Sequence, residues 1–299
     1  MKKSVSLLLA ALMLTGALAG CGSSASASDT HAADGADSGV SGAITVISRE
    51  DGSGTRGAFI ELTGVEEKTA DGKKIDNTTA DAEIANKTDV VLTSVAGNEK
   101  AIGYISLGAL NDTVKAVKVD GAEATVDNVK AGAYKLSRPF NIATKGEPTG
   151  VAKDFISFIL SKEGQAVVTD NKYIAVNDAA ESFVSDGSSG QIAVGGSSSV
   201  SPVMEKLIEA YKSVNPNASI DLQTSDSTSG MTGAMDGTFA IGMASRELKD
   251  EEAAQLTGTA IALDGIAVIV NPANTIDELS MDQIKSIYVG DITDWGDLA

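Results

Sequence analysis

From residue 44 onward the sequence predicts an α/β fold, and three observations carry that prediction. Short β-rich runs alternate with stretches whose apolar residues recur at helical spacing. Several of these runs break directly into turns rich in serine and glycine that open the next helix. Aromatic residues make up only 4% of the chain, so aliphatic side chains and alanine must fill the interior. At 299 residues the chain can hold one large or two ordinary domains, each with its own core.

The N-terminus comes first and is not part of that fold. Lys2 and Lys3 precede an apolar run over residues 5–17, too short and too N-terminal for an ordinary membrane span, which predicts an export signal. Leu18-Ala19-Gly20-Cys21 then resembles the lipobox of bacterial lipoproteins, which implies acylation of Cys21 and residues 1–21 as signal peptide and lipobox. An ordinary signal peptide that happens to contain a cysteine is the alternative. Residues 22–42 are mostly Ser, Ala, Gly and Asp, a composition that cannot offset ordering entropy and predicts a flexible linker. The expected location is the cell membrane, lipid-anchored on the extracytoplasmic face. More than one acyl chain gives stable anchoring, at roughly 0.8 kcal/mol per buried methylene.

Ile44-Thr45-Val46-Ile47 reads as the first strand, followed by Ile102-Gly103-Tyr104-Ile105 and a candidate over residues 114–119. Val151, Phe155, Ile156, Ile159 and Leu160 mark a helix with Gly164 as its stop. Residues 185–190 read as a linker, and the pattern restarts with a short strand over 191–194. Ser201 as cap and Pro202 in the first turn open a helix whose buried face is Val203, Met204, Leu207, Ile208 and Tyr211. Residues 261–270 are apolar enough for a buried strand, interrupted by Asp264-Gly265. Met281, Ile284, Ile287 and Tyr288 form the last helical face, ended by Gly290.

Charge and composition exclude several functions. The 23 basic against 41 acidic side chains give a net charge of −18, which argues against nucleic acid and against adsorption to anionic lipid. Cys21 is the only cysteine, so no intramolecular disulfide and no cysteine-based zinc site can form. The only histidine, His31, lies in the linker, where it cannot serve a Ser/His/Asp triad. No P-loop motif is present.

Three turns carry the chemistry. Ser48-Arg49-Glu50-Asp51-Gly52-Ser53-Gly54-Thr55-Arg56, Gly195-Gly196-Ser197-Ser198-Ser199 and Ser225-Asp226-Ser227-Thr228-Ser229-Gly230 each stand before a helix. Small residues let backbone N–H groups approach a ligand, hydroxyls add donors, and helix N-termini carry partial positive charge. Each turn alone also fits simple capping, and Arg49 also fits a surface ion pair worth at most about 1 kcal/mol. Three such turns, one carrying an arginine, point to an oxyanion site in which Arg49 pairs with the anion and Asp51 or Glu50 orients it.

The turns resemble those of the substrate-binding lipoprotein of bacterial phosphate ABC transporters. Matching motifs are Arg49-x-Asp51-Gly52-Ser53-Gly54-Thr55, Gly196-Ser197-Ser198-Ser199, Thr228-Ser229-Gly230, Ala101-Ile102-Gly103-Tyr104, Ala244-Ser245-Arg246-Glu247-Leu248, residues 264–272 and the run from Asp282 to Trp295. The resemblance spans residues 43–299. It implies a two-lobed periplasmic-binding-protein fold, type II-like, closing on phosphate in the cleft between lobes. It further implies a monomer that captures inorganic phosphate for the transmembrane subunits of an ABC permease, with no cofactor and no metal. The implied phosphate-binding residues are Arg49, Ser53, Gly54, Thr55, Ser198, Ser199 and Ser229, with Asp51 orienting Arg49.

Two departures qualify the match. Arg246 stands where some relatives carry an aspartate that accepts the phosphate proton, which leaves selectivity over sulfate open. The two halves also stand in reversed order, as expected of a circular permutation; a fragment of a longer tandem or a mis-assembled gene is the rival. Permutation predicts one lobe from 43–134 plus 268–299 and the other from 135–267, with Ile44 and Trp295 in the same lobe. Other readings are a binder of another tetrahedral oxyanion and a non-transporting phosphate sensor. A serine phosphatase using Ser53 would lack a histidine base, so an enzyme is not expected. Net acidity does not forbid anion binding, because it is screened beyond about 8 Å while site donors act at contact.

Overall fold

The first strand, β1 (Thr45–Arg49), buries Val46 and Ile47 and ends on Arg49. In the computed structural model, which describes residues 40–70 and 73–298, a short turn leads from it into α1 (Gly54–Thr63). Cys21, His31 and the signal segment lie outside the described residues. A small hairpin, β2 (Glu66–Lys68) and β3 (Lys74–Asp76), precedes β4 (Glu83–Ala85), α2 (Thr88–Ala96) and β5 (Ala101–Ser106). Both β4 and β5 run parallel to β1, with Arg49 opposite Ala85.

The strand expected over 114–119 is two pieces, β6 (Lys115–Ala116) and β7 (Lys118–Val119), followed by α3 (Val126–Lys130). The break has a cause: the two pieces pair with different strands further along the chain. β8 (Ser137–Thr144) then leads to α4 (Gly150–Ile159) and α5 (Lys162–Asp170). The helix expected from Val151 is present, but Gly164 does not stop it. Ser161 caps a second helix, and Gly164 lies in its first turn because a Cβ there would strike the Phe158 carbonyl.

Beyond residues 185–190, which form no helix or strand before Gly190, come β9 (Gly190–Ser197), α6 (Ser201–Val214), β10 (Ala218–Ser225) and α7 (Ser227–Asp236). Ser201 is the first helical residue of α6 rather than its cap, and its hydroxyl donates back to the Ser197 carbonyl at 3.2 Å. The chain continues through β11 (Ile241–Ala244), α8 (Asp250–Ala253), β12 (Thr257–Val270), β13 (Glu278–Leu279) and α9 (Met281–Val289). β12 runs unbroken through Asp264-Gly265, because β8 pairs with it there; its irregularity falls between Ala260 and Ala262 instead. Gly290 ends α9 in the left-handed conformation, as its position suggests.

The main sheet has the order β10-β9-β11-β8-β12-β5-β1-β4, with β6 alongside β12. Two hydrophobic cores lie along it. One gathers β1, α1, α2, β5, the distal half of β12 and α9 around Phe59, Tyr104 and Tyr288, with Phe59 stacked on Tyr104 at 3.9 Å between centroids. The other gathers α4, α5, α6, β9 and the first half of β12 around Phe155, Phe158 and Tyr211. This is a two-lobed α/β architecture. Ile44 and Trp295 both pack on the first core, where Ala43 pairs with Asp294 and the Trp295 N–H donates to the Gly42 carbonyl. Val40 and Gly42, within the stretch that reads as flexible linker, are also tied down, to Thr275 and Asp294.

β8 and β12 pass from one core to the other, and at the passage Arg138 pairs with Asp264 at 3.1 Å, both almost fully buried. Burial pushes the Asp264 carboxyl up to about 6 against the attraction of Arg138. Among the described residues no helix is long and apolar enough to cross a membrane.

Candidate anion-binding cleft

The parallel strands β1, β4, β9 and β10 each give way at their C-terminal ends to a helix, which is where ligands collect in open α/β sheets. Arg49, the last residue of β1, is 2% exposed. Its Nε and Nη2 donate to the two carboxylate oxygens of Glu50 at 2.9 and 2.8 Å, and Nε also reaches the Ala85 carbonyl at 3.2 Å. Nη2 further donates to Ser198 Oγ at 3.1 Å, which turns the outer edge of the guanidinium toward the second core. Nη1 is buried without any partner among the described residues. A buried guanidinium nitrogen with nothing to bond costs free energy unless an anion meets it.

Hydroxyls from both cores converge beside that edge. Thr55, in the first turn of α1, lies 2.7 Å from Ser199 Oγ, and both are almost wholly buried. Ser53 caps α1 by accepting from the Arg56 N–H, so its side chain orders the loop. Gly54 follows it, and a Cβ there would collide with the Ser227 and Ser245 hydroxyls. Ser197 Oγ donates to Ser245 Oγ at 3.0 Å, and the Ser245 N–H donates to Ser227 Oγ at 3.1 Å. Thr88, first residue of α2, lies 3.4 Å from both Ser198 and Ser199 hydroxyls. Close backbone contact accompanies this: Gly196, at φ +134°, and Gly230 leave no room for a Cβ between them.

Two further contacts hold the sides together. The N–H and the hydroxyl of Thr228, at the start of α7, donate to the Gly52 carbonyl at 3.2 and 3.3 Å. Arg246 lies with its stem against Gly54 and pairs through both Nη atoms with Glu252, at 2.7 and 2.8 Å. Burial opposes the charge on Glu252, but those bonds hold its carboxyl below its ordinary range.

The structure brings Arg49, Gly54, Thr55, Ser198 and Ser199 together, with Ser53 as cap behind them. Two assignments need correction. Asp51 does not orient Arg49: its side chain is almost entirely exposed and pairs with Arg56 at 2.9 Å, while the longer Glu50 reaches back to form the fork. Ser229 is not in the cluster. It is exposed, and its N–H and hydroxyl both donate to Asp226 on the outer side of α7. Ser227 takes its place, fully buried. The signal for it was present, since Ser227 shares one helical face with buried Met231 and Ala234 whereas Ser229 does not. Thr88 was missed; it shares a face with Val91, Leu92 and Val95.

Comparison with known proteins identifies the family. The model of the PBP superfamily domain matches residues 25–163 and 182–299. Phosphate-binding protein PstS 2 of Streptococcus agalactiae is 50% identical over 300 residues, covering 99% of this chain and 98% of that one. Its namesake from Streptococcus pneumoniae is 49% identical, covering 99% of each. The crystal structure of a phosphate-binding protein of a phosphate ABC transporter from Streptococcus pneumoniae aligns at a TM-score of 0.69 and 50% identity, over 86% of this chain and all of that one. A two-lobed sheet with a buried arginine at its cleft, and identity at this level over nearly the whole length, place the chain in the phosphate-binding protein PstS family of the PBP superfamily.

Proposed function

We propose that this chain captures inorganic phosphate outside the cytoplasm and delivers it to an ABC importer. The observation that carries this reading is Arg49, buried against Ser198 with Nη1 unpartnered where hydroxyls of both cores meet. Relatives across the full length are named for phosphate binding. The energetics suffice: bonds to a charged ligand contribute roughly 1.5–3 kcal/mol each, and micromolar affinity needs only about 8 kcal/mol. The phosphate contacts are Arg49 Nη1, the hydroxyls of Thr55, Ser198, Ser199 and Ser227, and backbone N–H groups at Gly54 and Thr55. The protein binds and releases without chemistry, acts as a monomer, and is held to the membrane by acylated Cys21. Its lobes are 43–134 with 268–299, and 135–267. The reversed order of the halves is a permutation, a reading supported by the pairing of Ala43 with Asp294.

One observation favours a second reading, sulfate. A carboxylate in the site would reject an anion without a proton, but Arg246 occupies that motif position and is engaged by Glu252. Hydroxyls donate or accept, so they do not distinguish the two anions by themselves. Calorimetric titration of the purified protein with phosphate, then with sulfate in competition, tests both. Saturable one-site phosphate binding that excess sulfate does not displace supports phosphate; the opposite ranking supports sulfate, and binding of neither refutes the site.

A further inference from the structure

We propose that Thr88 and the N-terminus of α2 form a fourth arm of the anion site, so that the ligand is contacted from four helix ends rather than three. This rests on the oxyanion reading above. The placement follows from the sheet: β4 runs parallel to β1 with Ala85 opposite Arg49, and the Ala85 carbonyl accepts from both Arg49 Nε and the Glu50 N–H. Three residues beyond Ala85 the chain enters α2, so the register that fixes Arg49 also fixes Thr88 beside it.

Thr88 is 4% exposed, and its hydroxyl stands 3.4 Å from Ser198 Oγ and from Ser199 Oγ. Among the described residues, the hydroxyls it meets thus belong to the opposite side of the cleft, and they also meet Arg49 and Thr55. Lys87, at the cap position of α2, supplies no side-chain acceptor to the first turn. Helices leave their first N–H groups without internal partners, and a capping side chain ordinarily takes one. Here the first turn faces a cluster that also holds the unpartnered, buried Nη1 of Arg49. A tetrahedral anion held by that nitrogen lies within reach of the Thr88 hydroxyl and gains from the partial positive charge of the helix end. Asp89, next in sequence, is exposed, which keeps its carboxylate out of the cluster.

Because Thr88 reaches hydroxyls of the second core, its contact forms when the two cores approach, and it contributes to holding the closed state. Thr88→Val keeps the shape and removes the hydroxyl, while Thr88→Ser keeps the hydroxyl and removes a methyl. Calorimetry of the full-length chain with inorganic phosphate separates them. The expected result is about tenfold weaker binding for Thr88→Val, near wild-type binding for Thr88→Ser, and unchanged ligand-free melting temperatures for both. Binding by Thr88→Val within twofold of wild type overturns the proposal while leaving the anion reading intact. Equal losses in both variants overturn it too, since packing rather than the hydroxyl would then be responsible. A wild-type chain that binds neither phosphate nor sulfate overturns the anion reading and this arm with it.

Discussion

The two sides of the cleft differ in what they bring. The side built on the first core supplies the formal charge: Arg49, fixed by the Glu50 fork and the Ala85 carbonyl, with Thr55 and Thr88 flanking it. The side built around β9, α7 and the end of β11 offers neutral donors: Ser197 bonds Ser245 and accepts from the Ser199 N–H, the Ser245 N–H donates to Ser227, and Ser198 meets Arg49 itself. The guanidinium of Arg246, just past β11, is held by Glu252. A single oriented charge provides most of the attraction, whereas neutral donors provide shape and respond to closure. The difference teaches that the loss of one residue on the first side outweighs the loss of any one on the second.

Arg49→Ala should therefore have the largest effect, weakening phosphate binding by about 2–5 kcal/mol, the cost of removing one partner from a buried charge pair; titration calorimetry reads it. Gly54→Ala comes next. Its Cβ meets Ser227 and Ser245 across the cleft, and overpacking of this kind costs about 1–3 kcal/mol, here as weaker binding with an opened cleft visible by small-angle scattering. Ser227→Ala removes one neutral donor and should cost about 1 kcal/mol of affinity. Ser229→Ala is the control on the outer face of α7 and should leave affinity unchanged. A larger loss for Ser229 than for Ser227 would reverse the comparison.

A second buried arginine sharpens it further. Arg138, like Arg49, has buried guanidinium nitrogen without a partner among the described residues, but its carboxylate is fully buried Asp264 rather than a partly exposed glutamate. Because folding raises the Asp264 pKa from 3.8 to about 6, the native state holds the proton more tightly between those values. Its contribution to stability is fully present below about pH 4 and is lost as pH rises through about 6. Asp264→Asn should abolish that part of the decline in urea-unfolding free energy, at a constant cost from leaving Arg138 unpaired.

Much of this was legible in the residues, and the misses have physical reasons. The strands around Val46–Ile47 and Ile102–Ile105 were readable as short, almost continuously buried runs rich in β-branched residues, and the face of Ile284, Ile287 and Tyr288 because its burial follows helical spacing. Gly164 misled because a glycine required by close packing against the Phe158 carbonyl looks the same as a helix stop. The split between Lys115–Ala116 and Lys118–Val119 depends on distant partners, which no local pattern encodes. In the cleft, residue type identified the turns but not which hydroxyl faces inward. That choice depends on helix phase, which favours Ser227 over Ser229, and on side-chain reach, which favours Glu50 over Asp51.

A co-crystal structure with inorganic phosphate tests the central claim most directly. The expected result is one phosphate between the two cores, with an oxygen in hydrogen-bonding reach of Arg49 Nη1 and others near the hydroxyls of Thr55, Ser198 and Ser199. Phosphate seated instead on the Ser229 face of α7, with Arg49 engaged only by Glu50 and Ser198, would contradict it.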